Sequence, residues 1–133
     1  MVVILIIGIL IAIALPTYLG TRRTAADRAT QSELRTGLAA AMTYFSGGIT
    51  YTGFDPVSAK ANEPSIDWAG PGAPALGQIG IQTAAGSALL LVSRSETGTY
   101  WCVAQIPNSP ATSRGGDANF SNVDTTAECA QGW

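Results

Sequence analysis

From Met1 to Thr21 the chain carries no charged side chain: MVVILIIGILIAIALPTYLGT. These 21 residues, at about 1.5 Å of rise each, make roughly 30 Å of helix, the thickness of the hydrocarbon core of a bilayer. Twelve of them are Val, Ile or Leu. Leaving those side chains in water would cost about 20–35 kcal/mol as an upper bound. Such a segment must sit in lipid, in a protein core, or in one and then the other.

The rest of the chain is of another character. Charged residues make up 12% of the whole and the net charge is −2. Beyond the four arginines between Arg22 and Arg35 there is no basic stripe, and Asp27 and Glu33 are interleaved with those four. A solvated helix face is therefore favoured over a nucleic-acid surface, and no nucleic-acid partner is expected. The residues after the apolar run suffice for one modest core and one domain. Cys102 and Cys129 close a loop near the C-terminus; in an exported protein such a pair reads as a disulfide, against the alternative of two buried free thiols. There is no CxxC spacing and no histidine, which disfavours zinc and thioredoxin-type chemistry.

A cleavable signal peptide would need a basic start, a shorter apolar core and a small-x-small cleavage site; Leu15-Pro16-Thr17 is a poor one. A membrane anchor fits by length. A third reading, an anchor that is half of a longer helix, fits best, because the helical pattern continues past Pro16. Leu34, Leu38, Ala41, Met42 and Phe45 fall on one face. Arg23 and Asp27 stand four apart on a polar face, and Gly47-Gly48 ends the run. One helix of about 45 residues is expected, greasy at one end and amphipathic at the other, weakest at Gly8 and Pro16.

The string MVVILIIGILIAIALPTYLGTRRTAADRATQSELR resembles the N-terminal helix of type IV pilins, with its long β-branched run, Gly8, the small-residue Ile-Ala-Ile-Ala and Pro16 in register. The resemblance covers the first third of the chain. It implies that a short basic leader, a methylated Phe and a Thr-Leu-Ile-Glu-Leu-like stretch lie upstream of Met1. The acidic residue of that stretch, which family members use to contact a neighbouring N-terminus, corresponds to no position here. Arg22, Arg23, Arg28 and Arg35, counted alone, would hold the following domain in the cytoplasm. The cysteine pair argues for the outside, and the basic leader that the resemblance implies would restore the balance.

The remainder divides by composition. Residues 47–78 hold ten Gly and Pro and read as a long loop, pinned by Tyr51, Phe54, Ile66 and Trp68. Ile79–Thr83, Ser87–Ser93 and Thr99–Ile106 are strand candidates, separated by turns at Ala84-Ala85-Gly86 and Glu96-Thr97-Gly98. The strongest is TYWCVAQI, broken by Pro107 and Pro110. The polar, Gly-rich segment 109–133 is tied back by Cys129. The expected fold is α+β. An apolar half-helix (1–21) precedes a head (22–133) made of the amphipathic half-helix 22–46, the loop 47–78, an antiparallel sheet of three or four strands over 79–106, and a disulfide-bounded segment, 102–133. This is also the ladle-like fold that the resemblance implies.

Without histidine the usual triads and His–metal sites are absent from the sequence, and no GxxxxGK[ST] or helix-opening GxGxxG occurs. No enzyme, cofactor or resident metal is expected. Asp55, Glu63 and Asp67 read as solvated loop charges. Asp117, Asn119, Ser121, Thr125 and Glu128 take positions 1, 3, 5, 9 and 12 of a twelve-residue stretch that approaches a calcium loop, but Asn122 stands where Gly is needed and Asp124 where an apolar residue belongs. A polar surface loop is the better reading, with a looser calcium loop as the alternative. Asn119-Phe120-Ser121 is an unremarkable sequon, and Trp133 reads as a core plug.

The functional expectation is a filament subunit. Ile4, Ile7, Gly8, Ile11, Leu15 and Pro16 would lie in the membrane before assembly and in the filament core afterwards. The partners would be other copies of the chain, the cytoplasmic membrane and the pilus assembly machinery, and the final location a pilus at the cell surface. Motility, adhesion and DNA uptake are all compatible. A pseudopilin of a type II secretion system is the alternative; a membrane-anchored extracellular binding domain is the second. The resemblance also implies extended chain between Gly8 and Pro16 in the filament.

Overall fold

The computed structural model describes residues 1–109, 111–130 and 132–133, with the side chains of 14–16 outside the description. The uncharged run and the amphipathic run form one helix, α1, Val2–Gly48. It ends two residues later than the glycine pair suggested. The left-handed cap is Ile49 (φ 57°), whose N–H bonds the Phe45 carbonyl at 2.6 Å. A β-branched residue in that conformation is unusual, and its side chain is left almost fully exposed.

The segment 47–78 is less of a loop than its Gly and Pro content implied. α2 spans Pro56–Asn62 and β1 spans Asp67–Ala69. The start of α2 is written locally: the Asp55 carboxylate accepts from the Ser58 N–H at 2.8 Å, the Ser58 hydroxyl accepts from the Asp55 N–H at 2.9 Å, and Pro56 follows the cap. This reciprocal capping box outweighs the turn-like composition around it.

Four further strands follow: β2 Gln78–Ala85, β3 Ala88–Arg94, β4 Tyr100–Gln105 and β5 Thr112–Asp117. The sheet has five strands in sequence order, antiparallel throughout except for the β1–β2 edge, which is parallel. It thus exceeds the expected three or four strands at both edges. The β2–β3 turn is Gly86-Ser87, beginning two residues later than expected; Gly86 takes φ 58°, as a two-residue hairpin turn with Gly in first place requires. Ala84 and Ala85 join the strand. β5, TSRGGD, lacks the alternation that marks a strand. It pairs with β4 all along its length and lies so close to Trp101 that a Cβ on Gly116 would stand 2.3 Å from the indole.

β3 reads ALLLVSR, and Leu89, Leu90, Leu91, Val92 and Ser93 are all fully buried. A strand without alternation needs cover on both faces, and the structure supplies it. Leu89 and Leu91 point to α1 and pack with Leu34, Leu38, Ala41, Ile79 and Val103. Leu90 and Val92 point the other way, to Cys102, Ala104, Val123 and Cys129. Helix, sheet and C-terminal segment therefore form three layers. Of the expected helix face, Leu34, Leu38 and Ala41 are buried, Phe45 is partly so, and Met42 is exposed. Gly37, on that face, lets Ile79 and Trp68 rest directly on the helix backbone; an added Cβ would meet Ile79 at 2.8 Å.

Candidate functional site

Among the described side chains, the first half of α1 is exposed throughout and packs against nothing. Ile4, Ile7 and Ile11 are 72%, 51% and 52% exposed, close to the limit for a side chain on an isolated helix, and no heavy atom would lie within 4 Å of a Cβ on Gly8. The side chains of Leu15 and Pro16 lie outside the described residues. Exposure continues through Tyr18 and Leu19 to Ala25. α1 is the one helix, among the described residues, long and apolar enough to cross a membrane.

The head takes hold of α1 at Ala26 and Asp27. The Asp27 carboxylate accepts a hydrogen bond from the Thr97 hydroxyl at 2.6 Å and from the Trp101 indole N–H at 3.3 Å. The expected Arg23–Asp27 pairing is thus replaced by a clasp across 70 residues of sequence. Partial burial alone would raise the Asp27 pKa, but hydrogen bonds from Ser95, Thr97 and Trp101 outweigh it and hold the group below 3.8. The donors stand on β4 and on the β3–β4 turn, which closes through Ser95 N–H to Thr99 O at 2.8 Å and Gly98 N–H to Ser95 O at 2.9 Å. Two turns farther along α1, Glu33 has its pKa raised by desolvation.

Cys102 and Cys129 form a disulfide, with their Cα atoms 5.8 Å apart. It joins β4 to the C-terminal segment on the face of the sheet away from α1. Asp117 and Glu128, the ends of the calcium-like stretch, are engaged by their neighbours. Asp117 accepts from the Asn119 N–H at 2.7 Å and the Asn122 amide at 3.1 Å, while Glu128 accepts from the Thr125 hydroxyl at 2.7 Å. Asp124 is pushed up by desolvation and then by its neighbour Glu128, its hydrogen bond and charge both acting. No group of three or more Cys, Asp or Glu among the described residues is placed to hold a metal.

Sequence reasoning missed the Asp27 clasp, because nothing local to Asp27 announces a partner 70 residues away. It also missed how Trp133 packs. The indole meets Trp101 edge-on at 6.3 Å, donates to the Gly115 carbonyl at 3.0 Å, and is stacked by the guanidinium groups of Arg35 at 5.2 Å and Arg114 at 5.3 Å. One ring thereby links α1, β4 and β5. Among the described residues the arrangement offers no catalytic constellation. It offers a rigid head holding one half of a helix and presenting the other, unpacked. No family model, curated protein or solved structure matches the chain.

Proposed function

We propose that this chain is the repeating subunit of a type IV pilus, held in the cytoplasmic membrane by the first half of α1 before assembly and buried in the filament core by the same half afterwards. The observation that carries the reading is the continuity of α1. A plain anchor requires only a span of about 20 residues, whereas here one unbroken helix of 47 residues joins the exposed apolar half to the half that forms the head's core. In the single chain such a helix fixes the orientation of the head relative to the apolar segment, as docking one copy onto a growing lattice requires and a tethered binding domain does not. The mechanism is the hydrophobic effect applied twice, to lipid and then to other copies.

The disulfide supports an exported head and favours the pilin reading over the pseudopilin one. The pseudopilin alternative drew on the Asp117–Glu128 stretch, whose end carboxylates are occupied by local hydrogen bonds. The test is electron microscopy of filaments sheared from cells expressing the full gene product. Long surface filaments containing this chain support the proposal, and their absence under conditions where the protein is made and exported refutes it. A filament map also tests the expected unwinding. α1 is helical from Val2 to Gly48 in the single chain, so extended chain between Gly8 and Pro16 would be a change made on assembly.

A further inference from the structure

Where α1 leaves the head, a groove of about 460 Å³ opens between the helix and the β3–β4 turn, lined by Leu19, Arg22, Arg23, Ala26, Glu96 and Thr97. Three observations bear on what fills it. The first is level. Arg22 is the first charged side chain of α1, so it marks the boundary of any hydrocarbon phase around the apolar half. Arg22 to Ala26 is about 6 Å along the helix axis, close to the depth of one headgroup layer. Leu19, 58% exposed, lies on the acyl-chain side of that boundary.

The second is charge. Two arginines and one glutamate line the same groove. Guanidinium forks match phosphate oxygens and are weakly hydrated. A carboxylate beside them opposes a purely anionic ligand and favours one with a cation next to its phosphate. The third is rigidity. Glu96 stands on the turn that Thr97 fastens to Asp27, so the backbone that carries it is held against the same helix as Arg22 and Arg23 before any ligand arrives.

We propose that this groove seats the zwitterionic headgroup of an aminophospholipid, with Arg22 and Arg23 on its phosphate and Glu96 accepting from its primary ammonium. The proposal rests on membrane residence of the apolar half-helix. A choline headgroup fits less well, since its quaternary nitrogen has no N–H to donate to Glu96. An anionic glycerol headgroup satisfies the arginines and leaves Glu96 facing negative charge.

The experiment reconstitutes the full chain in nanodiscs of equal phosphatidylethanolamine, phosphatidylcholine and phosphatidylglycerol, and counts the lipids retained on the protein by native mass spectrometry. Flotation first establishes insertion; a chain that does not float refutes the membrane reading and the proposal with it. For an inserted chain, phosphatidylethanolamine should be retained over both other lipids by about fivefold, as expected for exposed ion pairs worth about 1 kcal/mol in total. Glu96→Gln should abolish the preference over phosphatidylcholine while leaving retention of phosphatidylglycerol unchanged or higher. Arg23→Gln should lower retention of all three. Both sites are exposed, and an unchanged thermal midpoint confirms folding. Equal retention of the three lipids, preference for phosphatidylglycerol, or a Glu96→Gln variant that keeps the original ratio would each overturn the proposal while leaving the anchor reading intact.

Discussion

The two halves of α1 are built from similar numbers of residues and follow opposite rules. In the packed half the apolar residues are few and placed: Leu34, Leu38 and Ala41 fill one face, and Gly37 is small because Trp68 and Ile79 need its space. In the free half, apolar residues occupy every side, and none of the described ones meets another part of the chain. A helix apolar on one stripe belongs to a domain; a helix apolar all round belongs to an environment. The head is thus specified by its own sequence, while the first half of α1 is specified by what surrounds it. Substitutions in one half should leave the other untouched.

The largest expected effect breaks that symmetry in the free half. Ile7→Asp would bury an unpaired carboxylate among apolar neighbours in the filament, at several kcal/mol per subunit. Filaments should disappear while the head keeps its thermal midpoint; normal filaments from this variant would refute burial of the half-helix. In the packed half, Leu34→Ala should lower head stability by about 2–5 kcal/mol. Ile11→Ala, measured in the same detergent, should leave it unchanged. A matching loss from both would mean that the halves are energetically coupled.

Removing the disulfide with the Cys102→Ser/Cys129→Ser pair should cost about 3–4 kcal/mol on the chain-entropy account, read by denaturant unfolding of the head. The smallest effect concerns the Asp27 clasp. Its carboxyl is held below 3.8, so the clasp contributes stability that is present above that pH and fades as pH falls through the lower folded value. Because Asp27 is only partly buried, the contribution is about 1 kcal/mol or less. Asp27→Asn should flatten the acid limb of the stability profile below about pH 4. A profile identical to that of the parent chain would show that the clasp positions the turn without stabilising the fold.

The same contrast explains what could be read from sequence. The free half of α1 was fully legible, since absence of charge over 21 residues needs no tertiary context. The helix's buried face and the three central strands were legible from periodicity and β-branched content. The edges were not. β5 is held by pairing and by the close approach of Gly116 to Trp101, so its own residues carry no strand signal. β1 is three residues in parallel register, set by β2 and not by its own pattern. α2 could have been found, because Asp55-Pro56 followed by Ser58 is a helix start in any context. The clasp between Asp27 and the β3–β4 turn depends on two surfaces meeting, which no single stretch of sequence records.

The disulfide lies on the face of the sheet away from α1, and this decides where the molecule would yield under tension. A pull along α1 enters the head through Asp27, held by Thr97 and Trp101, and through the Leu34–Ala41 contacts, and so spreads into β3 and β4 together. The covalent link joins β4 to the C-terminal segment and does not cross from sheet to helix, so it cannot hold those two layers together. The bond therefore guards the back layer against unravelling. The tensile limit of the subunit is set by the non-covalent seam between helix and sheet, where Trp133, stacked against Arg35, ties the back segment to the loaded side.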